Sequence, residues 1–79
     1  MSAIAPAATY EVRLDEPVPY SYVVTTKRGV AGCDVPTVAR QLMNEDAVRH
    51  AAQWADFPGY VPARYQVKVF DADGQRVQL

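Results

Sequence analysis

The spacing of the apolar residues changes twice along the chain, and this change constrains the fold more than any other feature. In the middle, apolar residues recur every three or four positions from Val35 to Ala55, which is the spacing of one face of a helix. On both sides of this stretch apolar and polar residues alternate, as they do along half-buried strands. The predicted order of elements is therefore strand, strand, helix, strand, strand.

Turn residues separate the predicted strands. Those strands are residues 9–14, 20–27, 64–70 and 75–79. Pro17 and Pro19 break the chain between the first two strands, and the Asp-Ala-Asp-Gly run at 71–74 favours a hairpin between the last two. Residues 28–32 are either a bulged extension of the second strand or a short turn. In the last strand we expect Leu79 to face inward.

The helix is predicted over residues 35–55. Asp34 is a suitable N-cap residue, and Pro36 is tolerated in the first turn of a helix. The polar run at 44–46 interrupts the apolar stripe, and Asn44 could cap a second helix, so one kinked helix and two helices both remain open. The simplest arrangement packs the helix across one face of a four-stranded, mostly antiparallel sheet, which is an α+β fold.

The length and the cysteine content indicate one small domain without covalent cross-links. Seventy-nine residues are enough for one domain and too few for two, so we expect a flexible lead-in over 1–7 and a single domain over 8–79. Cys33 is the only cysteine, which excludes an internal disulfide and a cysteine-based zinc site. Small secreted domains usually depend on disulfides.

The start of the chain lacks the basic and apolar regions of a signal peptide. No run approaches the ~20 apolar residues of a membrane span. We therefore expect a cytoplasmic protein that does not act at a membrane.

No residue pattern indicates catalysis, a metal site or a cofactor site. His50 is the only histidine, and its place in the middle of the predicted helix, on the side of Trp54, is typical of a surface or boundary residue. Cys33 precedes the helix, where a small packing residue fits. The acidic pairs fall in turns or at a helix start, where solvation explains them: Asp15-Glu16, Glu45-Asp46 and Asp71/Asp73. We expect a non-enzymatic protein.

The formal net charge is only −1, so a charged binding surface can come only from the distribution of residues. If the strands alternate regularly, the side chains that face the helix are Tyr10, Tyr22, Val24, Tyr65, Val67, Val69 and Val77. The opposite, outer face then carries Glu11 as its single acid. Its bases are Arg13, Lys27, Arg64, Lys68 and Arg76. Such a face is either a solvated strand surface or a docking surface for phosphates or for an acidic protein patch.

Aromatic residues in the proline-rich turns are candidate anchors for a protein partner. These residues are Tyr20, Phe57 and Tyr60, and aromatic side chains dominate the energetics of many protein interfaces. Nucleic-acid-binding sheets present aromatic residues on which bases stack, and here only Phe70 is predicted to lie outward on the basic face. Protein binding is therefore favoured over nucleic-acid binding.

Four features follow one another along the chain. They are a hairpin at 9–27, an alanine-rich helix ending at Gln53-Trp54-Ala55, a loop at Phe57-Pro58-Gly59-Tyr60 and a terminal hairpin. This pattern resembles the small single-domain anti-CRISPR inhibitors of phages and other mobile elements. It covers nearly the full length but includes no diagnostic motif, so no functional residue is carried over. The resemblance implies a non-enzymatic inhibitor, active in the host cytoplasm, that binds a CRISPR surveillance complex and blocks target DNA binding or nuclease recruitment.

Two other functions remain open. The chain could be a small nucleic-acid-binding or regulatory protein that uses the basic sheet face. It could also be a structural accessory subunit of a phage particle or of an enzyme complex. A monomer and a homodimer are both compatible with the sequence.

Overall fold

The four strands form a single antiparallel sheet. In a computed structural model, which describes residues 4–78, the strands are β1 Thr9–Glu16, β2 Tyr22–Ala31, β3 Gln66–Phe70 and β4 Arg76–Val77. Their order across the sheet is β2-β1-β3-β4, and each neighbouring pair is antiparallel. The predicted α+β class, with the order β-β-α-β-β, is confirmed. Leu79, predicted to face inward, lies outside the described residues.

One continuous helix, α1, follows β2 over residues 32–54. Its segments are a 3-10 turn at Gly32–Asp34, an α-helix over Val35–Gln41, a π-helix over Leu42–Asp46 and an α-helix over Ala47–Trp54. Asp34 occupies the N-cap position of the α-helix that begins at Val35, as predicted, but its side chain makes no capping hydrogen bond. Asn44 lies inside the π segment and does not start a second helix. No helical segment within residues 4–78 is both long and apolar enough to cross a membrane.

The π segment keeps the apolar stripe of α1 on the sheet. Leu42 and Ala47 are both buried, at 2% and 6% exposure, although they are five residues apart. In an α-helix, residues five apart point about 140° away from each other. The Ala47 N–H donates to the Leu42 carbonyl, which is the i→i−5 bond of a π-helix. The wider turn thus returns Ala47 to the face of Leu42, while Asn44 and Glu45 stay exposed.

The core lies between α1 and one face of the sheet. The sheet contributes Tyr10, Val12, Leu14, Val69 and Val77, and the helix contributes Val35, Ala39, Leu42 and Ala47. Three further residues predicted to face the helix are partly buried against this core: Val24, Tyr65 and Val67. Each fully buried aliphatic side chain stabilises the fold by about 1.5–3 kcal/mol.

β2 carries a bulge at Val24. Leu14 pairs with Thr25 and the next residue, Asp15, pairs with Val23, so Val24 has no direct partner on β1. A bulge shifts the alternation of a strand by one residue. Thr25, Thr26 and Lys27, which follow this bulge, therefore lie on the opposite face from the one that regular alternation predicts.

A second bulge carries β2 on to Ala31. The pairing shifts again between Tyr10 and Val12 of β1. Gly29 has a φ of 65°, a left-handed conformation that favours glycine. Of the two structures predicted after Lys27, the bulged extension of the strand is the one observed.

The chain before β1 folds back onto the start of α1. Ile4 packs against the core, and the Ala5 N–H donates to the Tyr10 hydroxyl at 2.8 Å. The Gly32 N–H donates to the Ala8 carbonyl, also at 2.8 Å. Residues 1–3 of the predicted lead-in lie outside the described residues.

Candidate binding site

The outer face of the sheet, opposite α1, holds more acid than predicted. β1 runs two residues farther than expected, to Glu16, so its alternation places Asp15 on this face beside Arg13. Asp15 Oδ2 lies 3.4 Å from Arg13 Nη2 and 3.0 Å from Lys68 Nζ. The prediction that Glu11 is the only acid of the outer face is therefore wrong. Two of the predicted bases already share a buried carboxylate.

Lys27 does not belong to the outer face. The bulge at Val24 reverses the alternation of β2, and Lys27 pairs with the buried Val12. Lys27 borders a shallow groove whose other lining residues come from α1: Val38, Gln41, Leu42, Glu45 and Asp46. The predicted placement of Lys27 among the other bases is wrong, because regular alternation does not continue through a bulge.

Arg64 and Arg76 are the remaining predicted bases, and both are exposed. Arg76 lies on β4 opposite Phe70, and Arg64 precedes β3. Neither forms an ion pair with another side chain of residues 4–78. Of the five predicted bases, these two are therefore exposed and unpaired within residues 4–78, and Arg76 lies on the outer face.

Phe70 lies on the outer face, as predicted, opposite Glu11 of β1. The guanidinium carbon of Arg13 lies 4.9 Å from the centre of its ring. This cation–π contact occupies one side of the ring. Phe70 therefore has at most one ring face on which a nucleic-acid base could stack.

Aromatic side chains from three parts of the chain meet where β1 ends. Tyr20 and Tyr60 stack, with ring centres 5.6 Å apart and planes within 3° of parallel. Trp54, near the end of α1, lies 4.6 Å from Phe57 between ring centres. The ring centre of Tyr22, the first residue of β2, lies 6.3 Å from that of Tyr20. We call these five residues the aromatic end. It unites the three predicted anchors with Tyr22 and Trp54, which were not predicted to be binding residues.

The aromatic end borders an open surface pocket of about 350 Å³. Its lining residues are Tyr20, Tyr22, His50, Gln53, Trp54 and Tyr60. Phe57, against Trp54, is 55% exposed, and Val61, whose N–H donates to the Tyr20 hydroxyl, is 59% exposed. The pocket thus opens onto an apolar surface.

Glu16 is buried behind the pocket. Alternation along β1 places it on the helix-facing side after Val12 and Leu14, and its side chain has 0% exposure. Glu16 Oε2 lies 2.7 Å from His50 Nε2, and the Tyr60 hydroxyl donates to Oε1 at 3.3 Å. The prediction of a solvated turn residue is therefore wrong for Glu16.

His50 meets both of its partners at a single ring nitrogen. The Tyr22 hydroxyl lies 2.5 Å from Nε2, the same atom that contacts Glu16. A catalytic relay needs the carboxylate at one ring nitrogen and the nucleophile at the other. The three side chains therefore form a hydrogen-bonded cluster that fixes the imidazole ring. That ring lies 6.1 Å from the ring of Trp54, on the predicted side of the helix.

Cys33 and His50 lie near opposite ends of α1. The separation from position 33 to position 50 corresponds to roughly 25 Å along a helix, so the two cannot form a cysteine–histidine pair. Cys33 is exposed. Across the described part of the chain, no three histidine, cysteine, aspartate or glutamate side chains are grouped so that they could hold a metal ion.

The environment of the pocket keeps two phenols in their neutral form. Burial, followed by the hydrogen bond and the negative charge of Glu16, raises the pKa of Tyr22 to about 12. Burial, followed by the hydrogen bond with Tyr60, also raises the pKa of Tyr65. Both side chains therefore remain hydrogen-bond donors throughout the neutral pH range.

We expect the folded chain to lose stability at alkaline pH. A phenol whose folded-state pKa is raised contributes stability that is fully present below its unfolded pKa of about 10 and is lost as pH rises through the folded pKa. For Tyr22 that window runs from about 10 to about 12. Absorbance titration at 295 nm of the native chain should show a late phase that the Tyr22→Phe variant reduces by one tyrosine. The chain unfolded in urea, where all five tyrosines titrate together, is the reference. An unchanged late phase in the variant would contradict the assignment.

Comparison with protein-family models found no match, and comparison with curated proteins and with solved structures found none either. Function is therefore inferred from the residues and the geometry of the chain.

Proposed function

We propose that the chain is a non-enzymatic, protein-binding inhibitor that docks on its partner through the aromatic end. The observation that carries this proposal is the grouping of exposed aromatic side chains around one apolar pocket. Tyr20, Tyr22 and Phe57 are exposed by 37%, 39% and 55%. Aromatic residues are enriched at protein interfaces, where they fill pockets and act as anchors.

The arrangement of the only histidine favours binding over turnover. Both partners of His50 contact Nε2, so no nucleophile is coupled to a base across the ring. The same hydrogen bonds hold a wall of the pocket in one conformation. A preformed surface loses less conformational freedom when it binds, which strengthens association without new contacts.

The resemblance to small anti-CRISPR inhibitors supplies the class of target. The proposed partner is a CRISPR surveillance complex in the cytoplasm of a host cell, and the proposed effect is to block target DNA binding or nuclease recruitment. The pocket suits a protein subunit of such a complex better than its guide RNA, because its lining contains no lysine or arginine to meet phosphates.

Purified CRISPR surveillance complexes provide the test. We expect the chain to bind at least one such complex and to inhibit target DNA binding or nuclease recruitment. A double variant, Tyr20→Ala with Phe57→Ala, should bind at least about tenfold more weakly, since it removes two anchors. A second double variant, Met43→Ala with Val48→Ala, removes exposed apolar side chains of α1 and should bind like the unmodified chain. Equal losses in both double variants would contradict docking through the aromatic end.

Nucleic-acid binding through the outer face is the alternative function, and the two unpaired bases Arg64 and Arg76 favour it. Two phosphate contacts would give a salt dependence with a log–log slope of about −2. Replacing both arginines by glutamate should abolish such binding. It should leave protein docking through the aromatic end intact, so the two functions separate in one experiment.

A further inference from the structure

The walls of the aromatic pocket present ring faces in several directions. The ring of Tyr22 is inclined by 61° to that of Tyr20 and by 71° to that of His50. The ring of Trp54 is inclined by 54° to that of His50. Rings that turn against one another in this way surround a space instead of forming one stack. Each face of such a ring carries the negative side of its quadrupole, which attracts cations.

The charged group behind the pocket walls is negative, as the ring faces are. Glu16 is completely buried, and its two side-chain oxygens are held by His50 and Tyr60. In the described part of the chain its basic partner is His50, whose Nε2 lies 2.7 Å away and which carries a charge only when protonated, while Arg49, one residue before His50, pairs with Asp46. A buried carboxylate acts on its surroundings with little screening. The carboxylate of Glu16 is one of the causes that raise the pKa of Tyr22, so its charge reaches the pocket wall.

These features select among possible occupants. Ring faces and a carboxylate disfavour an anion, and the pocket lining lacks the bases that a phosphate group needs. An ammonium group is compact and strongly hydrated, so it loses much hydration in an apolar pocket. A guanidinium group is planar, weakly hydrated and stacks on aromatic faces. The side-chain oxygens of Gln53, Tyr22 and Tyr20 in the lining could accept its N–H donors.

We propose that this pocket binds the guanidinium group of an arginine side chain that the partner protein presents. The volume of about 350 Å³ admits the planar group together with part of its aliphatic stem. The source of the arginine rests on the proposed function. The preference of the pocket for a guanidinium group can be measured on the isolated chain.

The probe is N-acetyl-arginine-N-methylamide, titrated into the full chain at low salt. Binding is followed by the fluorescence of Trp54, the only tryptophan, and by the NMR shifts of the pocket residues. The analogous citrulline amide has the same shape without the charge, and the analogous lysine amide carries an ammonium group. We expect the arginine probe to bind at least about fivefold more tightly than the citrulline amide, which lacks the cation–π attraction, and than the lysine amide, whose ammonium group loses more hydration in the pocket. Equal affinities, or shifts outside the pocket only, would overturn the proposal.

A variant locates the preference in the pocket. Tyr20→Leu keeps an apolar side chain but removes one ring face, and it should lose most of the preference for arginine over citrulline. Met43→Leu, on an exposed part of α1, should keep the preference unchanged. If Tyr20→Leu keeps it too, the pocket is not the site and the proposal fails.

The outcomes also separate this proposal from the proposed function. A chain that binds a surveillance complex without preferring the arginine probe retains its function and loses the arginine site. A chain that prefers the arginine probe but binds no surveillance complex retains the site and loses the proposed target.

Discussion

Replacing Glu16 by alanine is expected to destabilise the folded chain by about 3–5 kcal/mol, because it removes one member of a buried, hydrogen-bonded pair. His50 Nε2, 2.7 Å from the Glu16 carboxylate, would lose this partner. The Tyr60 hydroxyl would lose the acceptor at 3.3 Å. A chain of this size has a total stability on the order of 4–12 kcal/mol, so the loss is a large part of the total and, at the lower end of that range, leaves the variant near its unfolding midpoint.

A second glutamate of the same strand provides the matched control. Glu11 also forms an ion pair, with Arg28 at 3.2 Å, but the Arg28 side chain is 83% exposed. Pairs exposed to this degree contribute about 0–1 kcal/mol, so Glu11→Ala should shift the urea midpoint only slightly. Glu16→Gln keeps one acceptor oxygen and should fall between the two alanine variants. Urea unfolding followed by circular dichroism measures all three. Similar losses for Glu11→Ala and Glu16→Ala would refute the buried cluster.

The order of the elements and the core could be predicted from the sequence, because both follow from burial on one face. Val12 and Leu14 alternate with polar neighbours along β1, and the apolar stripe of α1 recurs at helical spacing. Each pattern identifies one apolar face, and both faces are removed from water when the helix packs on the sheet. Both patterns are local in the sequence, so they can be recognised without knowing which residues meet in the folded chain.

The bulge at Val24 could not be predicted in the same way. Nothing in the sequence of β2 distinguishes Val24 from its neighbours, since positions 23–26 are all β-branched. The bulge follows from matching β2 to β1, where Leu14 pairs with Thr25 and Asp15 pairs with Val23. One unmatched residue was enough to move Lys27 away from the outer face.

The sequence predicts that β1 ends at Leu14, two residues before its end in the structure, and the difference has a physical reason. Pro17 and Pro19 predict a turn, and Asp15 and Glu16 are included in it; acidic residues are depleted in strands. In the folded chain Lys68 and Arg13 meet Asp15, while His50, 34 residues away, meets Glu16. These partners compensate for burial and exist only after the sheet has formed. The sequence did hold one signal, since Glu16 continues the helix-facing alternation of β1.

Gly32→Ala is the second substitution for which we expect a large effect. A Cβ atom at this position would lie 1.9 Å from the carbonyl oxygen of Ala5 and 3.1 Å from the Cα of Pro6. Both atoms belong to the backbone, so no side chain can rotate away. We expect a loss of about 2–3 kcal/mol, the upper range for overpacking. The segment displaced by the new methyl group carries the hydrogen bond from Ala5 to the Tyr10 hydroxyl.

Removal of residues 1–6 tests this cause directly, because it deletes both backbone atoms that the methyl group would meet. In the shortened chain Gly32→Ala should cost less than about 1 kcal/mol, so the two changes should be strongly non-additive in a double-mutant cycle of urea unfolding. Ala8, whose carbonyl accepts the Gly32 N–H, is retained in both backgrounds. If the substitution costs the same with and without residues 1–6, the effect arises within α1. The contact of position 32 with the backbone of residues 5 and 6 would then contribute little to the loss of stability.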